Sequence, residues 1–502
     1  MVRLDPGGCV IVWMWGAAAA LAERPLSYSD ALQASVERSV LVVAAEAQRG
    51  QSAASLTAAM GSWDPLYQLD GSWRQSTSQG FFQGFPFDSN SRRWSLNNSV
   101  SGTAGTGTTY AVNLGVDRDI SRFTTDFGVG GGEQLQDAFT GRGSVSVTQQ
   151  LLRGVLFRYN AQNQTRARAG LDVAELTLAK QHQEALYQAA EAYWTWSYQH
   201  QLHQIAAENV AVAEEAHRVG ALQVDSGQLA PVEGTRLEAA LVQAQQSALD
   251  ARNLAEKAAN ALLIAMGEDP QQSIVPSTEP GDVATVEGLA PEAAVGVALS
   301  QNLDLAIARR NNEQSELELH NARHGMLPRF SATGSAGLAS QRCPPGTDNE
   351  DCVVGNALQS IAGLAANDNQ PFVELSGQLQ VPLGNRGARG ERERVAALVD
   401  QRQSELAHQE RLVSAQVEEQ VRALKSAEQR TSLADTNLRL AEETLAAEEA
   451  LANAGRTLQK DVLEARNQVG RAKAEAAKAR TDYRLAQALL LKLQGQLTEA
   501  VP

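Results

Sequence analysis

The chain has 502 residues, of which 20% are charged and 43% apolar, which fits neither a disordered polar chain nor a protein of many membrane helices. Its 58 acidic residues outweigh 43 basic ones, and the net charge of -15 argues against a nucleic-acid partner. The longest apolar run, from Val10 to Ala22, is broken by Gly16 and falls short of the ~20 residues that a membrane-crossing helix needs. A helical span is therefore excluded. A β-barrel, whose sequence signal is far weaker, is not.

The first residues read as an export signal occupying 1–22. Arg3 gives a short basic region, Val10 to Ala20 an apolar one, and Ala20-Leu21-Ala22 a small-residue cleavage site before Glu23. The competing reading is an ordinary buried N-terminal segment, since Asp5 sits awkwardly in the basic part. Cys9 precedes the apolar stretch and is badly placed for a lipid anchor. Beyond the signal two cysteines remain, Cys343 and Cys352, flanking a turn-rich loop. In an exported chain that pattern suits a disulfide, although the spacing is also compatible with two free thiols.

An internal duplication organises the rest. Ser27 to Pro65 lies on Ala290 to Pro328 at a constant shift of 263, pairing Ala31 with Ala294, Ser52 with Ser315 and Pro65 with Pro328. A later stretch repeats at a shift of 228, setting Gly227 on Gly455, Glu233 on Asp461, Leu262-Leu263 on Leu490-Leu491 and Gly267 on Gly495. The shift falls by 35, so the first copy carries about that many extra residues, mostly around 79–142. A repeat this long is one structural unit used twice, not a solenoid.

Each unit reads as helix, strands, then two long helices. The first occupies 23–64 (helices), 65–153 (strands with an extra hairpin) and 154–266 (a helical hairpin with its tip at 220–234). The second occupies 267–327 (linker and first helix), 328–386 (strands) and 387–498 (a helical hairpin with its tip at 453–462). Val155 to Val219 holds no proline and one glycine, and Ala396 to Leu451 holds neither residue. Apolar residues there recur at three and four, as in Val413, Val417, Val421 and Leu424. Such hairpins have no core of their own and need lateral partners.

The strands alternate clearly. Val373, Leu375 and Leu379 point one way and Glu374, Ser376 and Gln378 the other; Tyr110, Val112, Leu114 and Val116 likewise oppose Asn113 and Asp117. Apolar residues out and polar residues in over about ten positions is what a membrane β-strand requires. A half-buried strand of a soluble sheet alternates in the same way. Two strands per unit cannot close a barrel alone, so closure requires several chains. The segments Trp94–Val100 and Thr108–Asp117 read as one additional hairpin, which either joins the barrel or lies outside it.

Taken in order, these features resemble the outer-membrane efflux protein family, the TolC-like channel-tunnels. The residues carrying the likeness are Ser29-Asp30-Ala31-Leu32, Trp63-Asp64-Pro65 and Leu327-Pro328 before the strands, and Gln149 to Gly154 and Val381-Pro382-Leu383-Gly384 after them. The run Gly455 to Leu463 is similar to the family's Gly-x5-Asp-Val-Leu tip turn, and Gly227 to Glu233 is a degenerate copy with Gly234 in place of Val. The resemblance implies a mainly α fold with a membrane β-barrel. Tandem helical hairpins form an α-barrel tunnel, and the strands of a homotrimer close the β-barrel. It implies an outer-membrane location reaching into the periplasm. Its partners are outer-membrane lipid, a periplasmic adaptor (membrane fusion) protein and an inner-membrane transporter. The role implied is that of the passive duct of a tripartite efflux pump or a type I secretion system.

Asp461 and Glu464 match the two acidic positions that line the narrow periplasmic entrance in the family, and Glu233 is the weaker equivalent from the other repeat. A solvated helix face is the competing account of such a pair. Gly227, Leu229, Gly455 and Leu458 match the adaptor-facing tips, which are otherwise plain turns between helices. One departure matters. Relatives close the entrance with a Tyr and an Arg where this chain has Ala452 and Thr457, with Arg456 displaced by one, so no gate residue carries over.

Other clusters are bland. His320 and His324, and His200 and His203, have spacings that could each hold half a metal site, with no third ligand in view. Tyr193, Trp194, Trp196 and Tyr198 read as packing between helices. No phosphate loop, nucleophile motif or cysteine-based metal motif occurs, so neither an enzyme nor a cofactor is expected. The other reading is a soluble periplasmic coiled-coil adaptor or spacer.

Overall fold

The computed structural model describes residues 24–82, 85–125, 132–279, 281, 290–345, 352–366, 369–454, 456 and 459–497. The signal at 1–22 and the tip residues Gly455 and Leu458 lie outside them. In chain order the elements are β1 (Arg24–Leu26), α1 (Tyr28–Arg38), α2 (Val40–Met60), β2 (Leu66–Phe82), β3 (Phe85–Thr103), β4 (Thr108–Thr125) and β5 (Gly132–Gln150). A single turn α3 (Phe157–Asn160) precedes the helical hairpin α4 (Gln162–Asp225) and α5 (Pro231–Ala265). The second copy has β6 (Ile274–Pro276), α6 (Pro291–Gln301), α7 (Leu303–Gly325), β7 (Arg329–Arg342), α8 (Ala357–Ala362) and β8 (Gln370–Gln380). It ends on the hairpin α9 (Arg386–Asn453) and α10 (Gln459–Leu493). No described helix is long and apolar enough to cross a membrane.

The chain divides into two compact units. One draws on Met1–Arg49, Ala174–Ile307 and Leu406–Pro502, the other on Gly50–Val173 and Ala308–Glu405. Each unit thus takes segments from both repeats.

In the first unit the duplication is visible as duplicated packing. Leu26, Ala31, Tyr193, Trp196, Leu262 and Leu263 form one buried cluster; Ala294, Ala298, Leu305, Val417, Val421 and Leu490 form its counterpart. Ala31 with Ala294 and Leu262 with Leu490 are repeat mates. Where the sequence suggests a single first helix in the second copy, the chain breaks at Asn302 (φ -62, ψ 126), as it does at Ser39 (φ -58, ψ 134). Asn302 holds its break by donating to the Leu493 carbonyl and accepting from the Leu305 N–H. The aromatic stretch of α4 packs inside this unit. Tyr193 donates to the Leu26 and Thr278 carbonyls and accepts from the Thr278 N–H, tying in β1, which pairs in parallel with β6. Along α9 and α10, Ala434, Ala476 and Ala479, then Ala441, Val469 and Ala472, make a narrow seam at heptad spacing, where small side chains allow close approach.

Two glycines fix both hairpin ends. Gly267 and Gly495 adopt φ +73 and φ +77, the left-handed region that favours glycine. A Cβ on Gly267 would come within 3.0 Å of the Arg38 carbonyl carbon, and one on Gly495 within 3.0 Å of that of Gln301. Arg38 and Gln301 are themselves repeat mates at the shift of 263, so the same close approach is made twice.

The second unit holds a six-stranded antiparallel sheet in the order β2-β3-β4-β5-β7-β8. The extra hairpin is part of it. β3 and β4 lie between β2 and β5, giving this sheet six strands among the described residues, four rather than two of them from the first copy.

Gly267→Ala and Gly495→Ala are each expected to cost about 1–3 kcal/mol through strain and backbone collision. Gly170→Ala, on α4 with open space around it, should instead stabilise by about 0.5–1 kcal/mol. Thermal unfolding of the purified variants checks both directions. Equal, small effects at all three positions would contradict the packing described.

Candidate functional site

The register places one set of side chains on each face of the sheet. On one face, Trp73 lies opposite Trp94, Trp94 opposite Arg118, and Arg118 opposite Phe139. The Trp73 and Trp94 rings are 6.0 Å apart, and the Arg118 guanidinium sits 4.9 Å above the Phe139 ring. Toward the other end of the strands the same face carries Tyr67, Tyr110 and Phe330. Between the two aromatic rows are Leu69, Leu96, Val112, Leu114, Val145 and, on the edge strand, Leu375, which is 84% exposed. From Tyr110 to Arg118 along β4 is nine residues, within the 9–11 or so that a tilted membrane β-strand needs to cross the apolar layer. Aromatic rows flanking an apolar band are also the pattern of a membrane β-barrel.

The opposite face is polar and bonded to itself. Ser72 and Ser95 share a hydroxyl hydrogen bond of 2.6 Å, and Thr148 and Thr333 one of 2.9 Å. Arg93 donates to Asp119 from Nε (3.1 Å) and Nη2 (2.5 Å). These cross-strand pairs use the spacing that an antiparallel sheet gives directly opposed residues.

Two further features of this unit frame the sheet. Cys343 and Cys352 are joined by a disulfide (Cα–Cα 5.9 Å), and the chain beyond it enters α8, capped at Asn356 by a reciprocal pair of bonds with Gln359. This segment packs on the apolar face of the sheet over Gly141 and Gly143. Leu364 comes 3.3 Å from where a Cβ on Gly143 would stand, and the Ser360 backbone occupies the corresponding space at Gly141. Only glycine at 141 leaves room for it. The second feature is a joint below the sheet. The Gly154 N–H donates to His324 Nε2 (3.1 Å), and Asn160 Nδ2 donates to the Gly105 and Gly154 carbonyls. His324 therefore accepts through Nε2 in its neutral form, with the Tyr159 ring edge-on at 4.9 Å. Partial burial, then the neighbouring positive charges of His320 and Arg153, hold its pKa below the ordinary 6.5. Among the described residues, no three His, Cys, Asp or Glu side chains gather in a way that could hold a metal ion.

The hairpin tips carry the acidic residues. α4 ends in a left-handed turn in which the Gly227 N–H (φ +75) donates to Val224 and the Gln228 N–H to Gln223, the pairing that closes a helix through glycine. Pro231 then starts α5. Leu229 is half-buried, 3.9 Å from where a Cβ on Gly220 would sit. Glu233 and Asp461 occupy the first turns of α5 and α10, where a carboxylate also favours the helix dipole. Glu233 is bonded to Arg236 of its own helix at 2.6 Å. Asp461 is half-buried, and Glu464, one turn on, is exposed.

No protein-family model and no curated protein matches the chain. Solved structures do. The CmeC outer membrane channel of Campylobacter jejuni is 13% identical, with 94% of this chain and 86% of that one covered and a TM-score of 0.64. The outer membrane protein VceC of Vibrio cholerae is 12% identical over 93% of this chain and 96% of that one, also at 0.64. The open state of the Neisseria gonorrhoeae MtrE outer membrane channel is 14% identical over 94% and 89%, again at 0.64. At such identities the likeness is one of fold, and the fold of this chain is that of outer-membrane channels.

Because His324 is held neutral in the fold, its contribution to stability is complete above pH 6.5 and is lost as pH falls through its depressed pKa. His324→Gln keeps an acceptor without titrating. The loss of melting temperature on acidification from pH 7.5 to about pH 5 is expected to be smaller in this variant than in the parent chain. An identical acid dependence would contradict the assigned tautomer.

Proposed function

We propose that the chain is a bacterial outer-membrane channel-tunnel, the passive exit duct of a tripartite efflux pump or type I secretion system. Three copies, each supplying six strands, close an eighteen-stranded barrel. Their helical hairpins line a periplasmic tunnel that docks an inner-membrane transporter through a periplasmic adaptor. The duct does no chemistry; the inner-membrane partner supplies the energy. The observation that carries this reading is the two-faced sheet: an exposed apolar band between aromatic rows, backed by a self-bonded polar face, in a fold shared with outer-membrane channels.

The tips at Gly227–Leu229 and Gly455–Leu458 are assigned to the adaptor. Asp461 and Glu464 are assigned to the periplasmic constriction, with Glu233, the equivalent position of the other repeat, subordinate to them. Two carboxylates from each of three chains create a field that favours cations and binds multivalent blockers. The soluble-spacer reading is weaker. It leaves Trp73, Leu96, Leu114 and Leu375 facing water with nothing to cover them.

In planar bilayers the protein is expected to conduct, to prefer cations, and to be blocked by multivalent cations added on the tip side. Asp461→Asn combined with Glu464→Gln should weaken that block by roughly tenfold. Block unaffected by the double substitution would remove these residues from the constriction. A membrane-inserted protein that never conducts would contradict the duct itself.

A further inference from the structure

The two edge strands of the sheet carry opposite charges on one face. Arg74 on β2 and Glu374 on β8 both point to the polar face and both are exposed. Among the described residues neither side chain has a hydrogen-bond or ion-pair partner. The charges nearest Arg74 are already satisfied: Arg93, opposite it, donates to Asp119, and Asp70 accepts from Gln68. Ser335 stands opposite Glu374. All five pairings between β2 and β8 are antiparallel, so β8 of one copy can take β2 of another as an antiparallel neighbour.

The stagger of the strands limits how these edges can meet. From Leu66, the first residue of β2, the pairing runs through Ser101, Ala111, Ser146 and Ser335 to Glu374, six residues before the end of β8 at Gln380. Five steps thus shift the pairing by six residues, and a sixth step onto another copy brings the shift to about seven. A strand spacing of ~4.8 Å, a rise of ~3.3 Å and a tilt of about 35–45° give a similar value, roughly 6 to 9 residues over six strands. Only an even shift keeps the polar faces together, which leaves six or eight. A shift of six sets Glu374 against Ser72 of the next copy and Phe372 against its Arg74. A shift of eight sets Glu374 against Arg74, Gln378 against Asp70 and, on the apolar face, Leu375 against Trp73 and Leu379 against Leu69.

We infer that copies of this chain join β8 to β2 at the shift of eight, and that an ion pair between Glu374 of one copy and Arg74 of the next fixes that register. Directly opposed side chains on antiparallel strands are close enough to interact, and opposite charges there favour the pairing. The inference rests on the reading of the sheet as one third of a barrel.

Cysteine pairs in the full-length chain, oxidised in the outer membrane and run without reductant, test the register. Ser72→Cys with Ser376→Cys is expected to give covalent trimers. Asp70→Cys with Ser376→Cys, and Ser72→Cys with Gln378→Cys, are opposed only at shifts of six and ten. Those two should cross-link roughly tenfold less, since their Cα atoms would lie beyond the ~7 Å that a disulfide can span. Charge reversal tests the ion pair. Arg74→Glu and Glu374→Arg should each lower the temperature at which the detergent-extracted trimer dissociates, and the two together should restore it. A trimer that cross-links best at a flanking pair, or at none of the three, overturns the register. One whose double reversal is no more stable than the single reversals overturns the ion pair. Either result leaves the barrel reading standing, whereas a parent chain extracted as a monomer removes both.

Discussion

A sheet whose two edges remain unpaired among the described residues is the constraint on which this structure turns. β2 and β8 each bond to one neighbour only, and all eleven residues of β8 are exposed. Each edge presents a row of backbone donors and acceptors that must find partners, most urgently where water is absent. Six strands are too few to close on themselves around a lumen. The polar face, with its serine, threonine and Arg93–Asp119 pairs, is chemically satisfied; the apolar face and the edges are not. On the proposed reading, another copy satisfies the edges and lipid covers the face. A single soluble chain satisfies neither.

The duplication explains how one chain builds so much from few devices. The same backbone approach, glycine against the carbonyl end of a short helix, occurs at Gly267 with Arg38 and at Gly495 with Gln301. The same break recurs at Ser39 and Asn302, and the same leucine position is buried at 262 and 490. Departures from the repeat are concentrated in the strand regions. The first copy inserts β3 and β4. The second inserts the disulfide and α8, so each copy elaborates its strands differently on a common helical frame.

Much of this was legible in the sequence for identifiable reasons. Long stretches without glycine or proline announce helices, and the alternation in Tyr110 to Val116 and Val373 to Leu379 announces strands. The duplicated anchors make each half a check on the other. The full length of β2 and the place of the extra hairpin between β2 and β5 were not readable, because alternation says which way side chains point and not which strands are neighbours. The packing of α8 on Gly141 and Gly143 was hidden for a similar reason: a glycine in a strand marks a close approach without saying of what. His324 is a quieter case: the sequence leaves it in a bland pair with His320, and only the fold shows that it accepts from the Gly154 backbone. Leu229, at the first tip, is drawn partly into its own hairpin by the space that Gly220 leaves.

The mass of the particle extracted by detergent from the outer-membrane fraction tests the account most directly, because it asks whether the free edges are paired by other copies. The account predicts a heat-sensitive species of about three times the 53.7 kDa chain. A monomer released by osmotic shock without detergent would contradict it, and the alternating strands would then belong to a soluble sheet.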